Sequence, residues 1–322
     1  MTKNEYSKLK KVIVGSATNA KIPKIDKCVR TVNYADVPDE ELHKIKVGPY
    51  PQQVIDEAND DLDTFCLFLE SEGVKVLRPL DTDCKYYNYC PRDSVFIHKN
   101  YALATPMPIR ARKGEYKAFA HHIDLPIEDM ELDFRDICYH ERCVGDPTLL
   151  ATQHTWSPMF DAANCIRSND DVLYLLSNSG NNAGALFLKA HIDGNLHVLK
   201  DVYSYMHIDS TVAFLREGLM LVNPSRIKSK DVLPEAFQNW DIIECPEPID
   251  IGHYPGYCNA SVWINMNLFS VNENLVVIEE HQEPLARELK KYGIDSALLP
   301  MRHQRTLGGG FHCVTLDLER VD

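Results

Sequence analysis

No run of about 18 consecutive apolar residues occurs in this 322-residue chain, which excludes a membrane-spanning helix of the ordinary kind. The N-terminal stretch MTKNEYSKLKKVIVGS lacks the apolar core of a signal peptide, so the cytoplasm is the expected compartment. Basic residues are in deficit: 34 Lys and Arg stand against 47 Asp and Glu, for a formal net charge of −13. Phosphate binding needs a basic face, so nucleic acid is excluded as the main partner. A small cationic substrate is not excluded, because acidic residues in a cleft favour one. The ten cysteines include no pair with CxxC spacing, which argues against a zinc site of the usual kind. Low-complexity tracts and Pro/Gly-rich linkers are missing too, so residues 1–322 are expected to form a single domain, long enough to bury a core without disulfides.

What is present is a recurring pattern of short apolar runs with helical stretches between them. Residues 11–14 read as a strand. Residues 52–71 have helical spacing, with Val54, Ile55, Ala58, Leu62, Phe65, Cys66 and Leu69 on one face. Gly73 follows as a C-cap, and 74–77 resumes a strand. Residues 94–98 and 101–104 bracket Lys99-Asn100 as a hairpin. Residues 172–176 read as a strand ahead of a small apolar segment at 183–190. Two further hairpins pair 210–215 with 218–222 around Arg216-Glu217, and 268–271 with 275–278 around Asn272-Glu273. A helix over 283–292, with Pro284 in its first turn and Gly293 at its end, leads through 294–299 to a final strand over 313–318. Hairpins that alternate with single helices are not the βαβ rhythm of a doubly wound sheet. They predict an α+β fold of repeated ββαβ units arranged around an axis.

Five short motifs carry the candidate chemistry. In TLGGGFHC (306–313) the glycines let backbone approach a ligand closely. A phosphate loop would need a helix N-terminus just after them, and here the strand-like CVTLDL follows instead. Spacing alone leaves two readings of Cys313 open: a nucleophile, or an incidental thiol behind a glycine-rich turn. In MHID (206–209), extended backbone would point His207 and Asp209 to the same side, as proton shuttle and cation holder. An isolated HxD is also a common surface pair. FDAAN (160–164) and PRD (91–93) each place a carboxylate beside small or apolar neighbours before a strand, where it needs a cation or hydrogen bonds, or serves as a cap. NPSR (223–226) adds an arginine.

Taken together and in this order, these motifs resemble the arginine:glycine amidinotransferase family from about Val12 to Glu319, with Met266-Asn267 in further support. The resemblance implies an α/β propeller of five ββαβ modules with pseudo-fivefold symmetry, the pentein fold shared with arginine deiminases, and an active site at its centre. It implies Cys313 as nucleophile, His207 as general acid–base and Asp161 as the acidic partner of His207. Asp93 and Asp209 correspond to the carboxylates that grip the guanidinium, and Arg226 to the arginine that binds the amino acid's carboxylate. Ser261 corresponds to a substrate-binding serine, with Ala260 in place of the serine that precedes it in the family. Ser204 and Met206 fall where glycine-using members carry Asn-Pro-Met. Met206 is kept, while Ser204 and Tyr205 depart from that pattern, so the expected acceptor is a primary amine other than glycine.

The implied reaction takes the amidino group of L-arginine onto Cys313, releases L-ornithine, and delivers the group to an amine by ping-pong covalent catalysis. A cationic substrate or a protonated histidine nearby is expected to favour the thiolate over a free thiol of pKa about 8.5. No metal or organic cofactor is expected, the partners are small molecules, and homodimers occur in the family. Two other classes stay open: a guanidine hydrolase or deiminase with water as acceptor, and a non-catalytic guanidine-binding protein.

Overall fold

The computed structural model describes residues 2–34, 37–130, 157–202 and 206–321. Five three-stranded sheets repeat one plan, in which an antiparallel pair of strands is extended by a third strand parallel to the second. The second module runs Val95–His98, Tyr101–Ala104 and Ile127–Asp129, and the third Cys165–Ser168, Asp171–Leu175 and Asn195–Leu199. The fourth runs Val212–Arg216, Leu219–Val222 and Asp241–Glu244, and the fifth Phe269–Asn272, Leu275–Glu279 and Asp295–Leu299. The first module is assembled from both ends of the chain. Thr315–Val321 pairs antiparallel with Lys8–Val14, which pairs in parallel with Lys75–Leu77. The ring therefore closes inside a sheet, with the chain termini lying between the first and second strands of one module.

Helices cross from the second strand to the third in three modules: Gln52–Ser71, Asn182–His191 and Glu283–Lys290. The longest buries Val54, Ile55, Ala58, Leu62, Phe65 and Leu69 along one stripe, as its spacing predicts, and Gly73 follows it in the left-handed region at φ +78°. Cys66, expected on the same stripe, is only half-buried. The small apolar segment at 183–190 is the helix Asn182–His191, started by the Asn181 side chain, which accepts from the Gly184 amide. In the second and fourth modules the crossover is made of short 3-10 turns instead, among them Arg110–Arg112 and Glu115–Ala118.

Most element bounds differ from the sequence expectation by a few residues, and two of these lie near the C-terminal end. The helix of the fifth module ends at Lys290 rather than 292, and the final strand begins at Thr315 rather than 313. The second difference matters, because Cys313 lies in the turn that feeds the strand. The same holds in the other modules. Short turns at Pro91–Asp93, Ala162–Asn164, Ile208–Ser210 and Val262–Met266 each stand just ahead of a module's first strand. Equivalent ends of five first strands thus bring five turns together at the centre of the ring.

Candidate active site

Each central turn contributes polar groups. Asp93 closes the Pro91–Asp93 turn, and its Oδ2 accepts a 2.8 Å bond from Arg112 Nη1. Asp161 sits at the start of the Ala162–Asn164 turn, and its Oδ2 is 2.9 Å from His207 Nε2. The other ring nitrogen of His207, Nδ1, lies 3.8 Å from Asp93 Oδ1. Asp209, inside the Ile208–Ser210 turn, turns Oδ2 to the Cys313 sulfur at 3.1 Å and to His312 Nδ1 at 3.1 Å. His207 and Asp209 do not share one extended segment as the sequence suggested. His207 is extended, at φ −97° and ψ 156°, and Asp209 is in a 3-10 turn, yet both face the centre because the turn redirects the chain. The four groups Asp93, Asp161, Asp209 and Cys313 are all buried. Oδ1 of Asp93 and Oδ1 of Asp161 are buried with no hydrogen-bond partner among the described residues. Buried carboxylate oxygens without donors are costly, and a cation bearing several N–H groups would satisfy them.

Electrostatics follow from this crowding. Burial pulls His207 down, but Asp93, the hydrogen bond to Asp161 and the charge of Asp209 outweigh it and hold the imidazole at about 9. His207 is therefore a cation at neutral pH. Burial raises Asp161 against the pull of His207. Burial also opposes ionisation of Asp209, yet its hydrogen bond to His312 and the charges of His312 and His207 keep its carboxyl well below the usual range. The Cys90 thiol, burial and Asp209 push Cys313 well above a free thiol. These neighbours favour the thiol over the expected thiolate. An anion is disfavoured there until positive charge arrives.

Beneath this layer lies a buried ionic cluster. Glu5 accepts from Arg167 Nε at 2.7 Å and Nη2 at 2.9 Å, and Asp317 accepts from Arg92 at 2.8 Å, Arg167 at 3.0 Å and Arg320 at 2.9 Å. Burial works against both carboxyls, but the arginines, Arg167 foremost, hold them well below their usual range. Arg92 Nε reaches the His312 carbonyl at 2.7 Å, and Arg320 Nη2 reaches the Ser270 carbonyl at 2.9 Å. The cluster ties the nucleophile's turn to the neighbouring modules.

The glycines before Cys313 have separate causes. Gly308 caps the short helix Gln304–Leu307 at φ +85°, a left-handed conformation that L side chains rarely adopt. A Cβ on Gly309 would stand 2.6 Å from the Cys90 sulfur, and one on Gly310 would stand 2.9 Å from Asn267.

Of the other residues singled out from the sequence, Arg226 lies beside the Asp209 turn, with Nη1 bonded to the Ser210 carbonyl at 3.0 Å and to Thr211 Oγ1 at 2.8 Å. Ser261 is exposed at the start of the Val262–Met266 turn. Met206 is half-buried against the core, and its carbonyl accepts from Asn164. Ser204 lies outside the described residues. Sequence reasoning missed Arg112, which stands 19 positions after Asp93 and also bonds Glu115 at 2.9 Å, with no local signal to announce it. It gave no role to His312, whose place beside Cys313 was the available clue, or to Asn267, which touches the sulfur.

No family model matches the chain. Whole-length relatives are nonetheless clear. The chain is 36% identical to inosamine-phosphate amidinotransferase 1 of Streptomyces glaucescens, over 99% of this chain and 96% of that protein. It is 31% identical to the L-arginine:L-lysine amidinotransferase of Pseudomonas savastanoi pv. phaseolicola, with 98% and 93% covered. It is 30% identical to the mitochondrial glycine amidinotransferase of Gallus gallus, with 98% and 82% covered. Among solved structures, the inosamine-phosphate amidinotransferase of Streptomyces griseus superposes with a TM-score of 0.92 at 33% identity, covering 100% of this chain and 97% of that one. DDAH from Pseudomonas aeruginosa shares the fold alone, with a TM-score of 0.63 at 16% identity and 96% and 99% covered.

The ring of five modules is the pentein fold. The chain belongs to the amidinotransferase family and is an enzyme that transfers amidino groups.

Proposed function

We propose that the chain takes the amidino group from L-arginine onto Cys313, releases L-ornithine, and passes the group to a primary amine other than glycine. The observation that carries this reading is the contact of Asp209 with the buried Cys313 sulfur beside a linked set in which His207 lies between Asp93 and Asp161, with one carboxylate oxygen each of Asp93 and Asp161 left unpartnered among the described residues. A guanidinium is planar and donates from all its nitrogens, so carboxylates on its edges fix the plane and present the carbon to sulfur. Its charge offsets Asp209 and Asp93, which favours loss of the Cys313 proton to solvent. The thiolate forms a C–S bond to the guanidino carbon. The bond from that carbon to the side-chain nitrogen of arginine then breaks as His207 protonates the departing amine. An amidino-thioether remains. The acceptor amine attacks the same carbon, gives a proton to His207, and the C–S bond breaks to return the thiolate. Arg226, next to the Asp209 turn, is assigned to the amino acid's carboxylate, and Ser261, Ser204 and Met206 to the substrate's surroundings.

The acceptor is the open variable within the family, since the relatives named above act on an inosamine phosphate, lysine and glycine by their names. The departure of Ser204 and Tyr205 from the glycine-using pattern supports another amine.

Intact-mass spectrometry after mixing with arginine tests the covalent step. An amidino adduct is expected on the wild type and not on Cys313→Ala, with one ornithine released per adduct. Citrulline and ammonia in place of ornithine would establish hydrolysis instead. A panel of amines tests the acceptor, and glycine outperforming all others would overturn that part.

A further inference from the structure

Asn267 closes the Val262–Met266 turn of the fifth module and is buried against the nucleophile's turn. Its side-chain oxygen accepts from two backbone amides, His312 N at 2.9 Å and Cys313 N at 3.1 Å. Its side-chain nitrogen lies 3.3 Å from the Cys313 sulfur. The orientation of the amide is not arbitrary. Backbone N–H groups only donate, so the oxygen must face them, and the NH2 group must then face the sulfur. Gly310 makes room for this approach, because a Cβ there would stand 2.9 Å from both Cβ and Oδ1 of Asn267.

We infer that Asn267 is the fixed hydrogen-bond donor that stabilises the Cys313 thiolate, both when the sulfur attacks and when it leaves. The inference rests on Cys313 as the nucleophile. Around the sulfur stand Asp209 at 3.1 Å, the Cys90 thiol, Asp93 and the Tyr89 ring, and His312 sits behind Asp209. The two carboxylates disfavour an anion on sulfur, the Tyr89 hydroxyl donates to the Gly309 carbonyl instead, and the Cys90 thiol pushes Cys313 upward. Asn267 does not titrate, cannot turn away without releasing two backbone amides, and keeps its N–H on sulfur whichever groups the substrate engages. In the first half-reaction the thiol loses its proton and the sulfur lone pair forms the C–S bond. In the second that bond breaks and the electron pair returns to sulfur. The same donor serves both half-reactions, since it stabilises the thiolate that proton loss creates in the first and the negative charge that returns to sulfur in the second.

Asn267→Asp is the discriminating variant. Its carboxylate still accepts both backbone amides, so the turn is kept, but an oxygen replaces the donor at the sulfur. The rate at which iodoacetamide alkylates Cys313, followed by peptide mapping to separate it from the other cysteines, is expected to fall about tenfold at pH 8, with the midpoint of its pH dependence moved upward by about one unit. Asn267→Ser, a neutral change whose shorter hydroxyl leaves no N–H at the sulfur, should shift in the same direction, which separates loss of the donor from the added charge of the Asp carboxylate. Unchanged pH dependence in Asn267→Asp, or a shift in Asn267→Asp that is absent from Asn267→Ser, overturns the proposal. So does loss of a cooperative melt in both variants, which would assign Asn267 to folding alone. Alkylation reads the sulfur directly. A shifted profile without any amidino adduct on the wild type would therefore defeat the arginine reading and leave the donor's role standing.

Discussion

His207 is held between Asp161, Asp93 and Asp209, and this explains how an imidazole that is only 13% exposed stays cationic. In the proposed reaction the general acid for the departing amine must carry its proton at working pH, and a value of about 9 is consistent with that role. Substituting Asp161→Asn keeps an acceptor for Nε2 but removes the negative charge, and should lower the His207 titration midpoint, read by NMR of the imidazole C–H signals, with kcat reduced about 100-fold. A midpoint that stays near 9 in the variant would mean that Asp161 does not set the charge. The folded value lies above the ordinary histidine value of 6.5, so the associated stability is complete below that pH and is lost as pH rises through about 9. Cys313 has the opposite problem, because its neighbours are acids. In the proposed reaction the positive charge that would favour its thiolate comes with the substrate, which would couple activation of the sulfur to binding.

At the scale of elements, the turns ahead of the first strands do the positioning, and the ionic cluster below holds them in register. Arg92 is the clearest link. It follows Pro91 in the turn that ends at Asp93, and it grips Asp317 and the carbonyl of His312, one residue from the nucleophile. Replacing Arg92 with Met would leave Asp317 and Glu5 with one cation fewer in a buried setting, at a cost of roughly 3–5 kcal/mol. Denaturant unfolding measures this directly, and a loss below about 1 kcal/mol would place the cluster's strength elsewhere. Three hairpins were legible in the sequence because each apolar run is short and bounded by turn residues such as Lys99-Asn100, where Lys99 adopts φ +53°, whereas in the third module only the second strand was read and its pairing with Cys165–Ser168 was not. The 3-10 crossovers of the second and fourth modules carry no strong period and were not.

Across the whole molecule, the acidic balance of −13 coexists with several carboxyls that folding holds ionised. Glu5, Asp209 and Asp317 are all lowered relative to the unfolded chain, so they stabilise the fold above the ordinary carboxylate range of about 4 and lose that contribution as pH falls below it. Thermal melts should hold Tm nearly level from pH 7 to about pH 4.5 and show a steep fall from about pH 4 down to pH 2, and a flat profile below pH 4 would contradict the cluster's role. Ring closure belongs to this scale as well. Lys8–Val14 was recognisable as a strand, but nothing local in it announces that its antiparallel partner is Thr315–Val321 at the far end of the chain. By itself, the sequence determined the α+β class, the ββαβ rhythm and the amidinotransferase family, and it singled out Asp93, Asp161, His207, Asp209 and Cys313 as candidates, because each of these is written in short contiguous patterns. Only the tertiary structure decided that Arg112 seats Asp93, that His312 backs Asp209, that the surroundings of Cys313 push its thiol upward, and that Asn267 faces the sulfur. Those facts depend on distances between turns of different modules, on burial and on charge summed over several elements, and none of these is a property of any one stretch of chain.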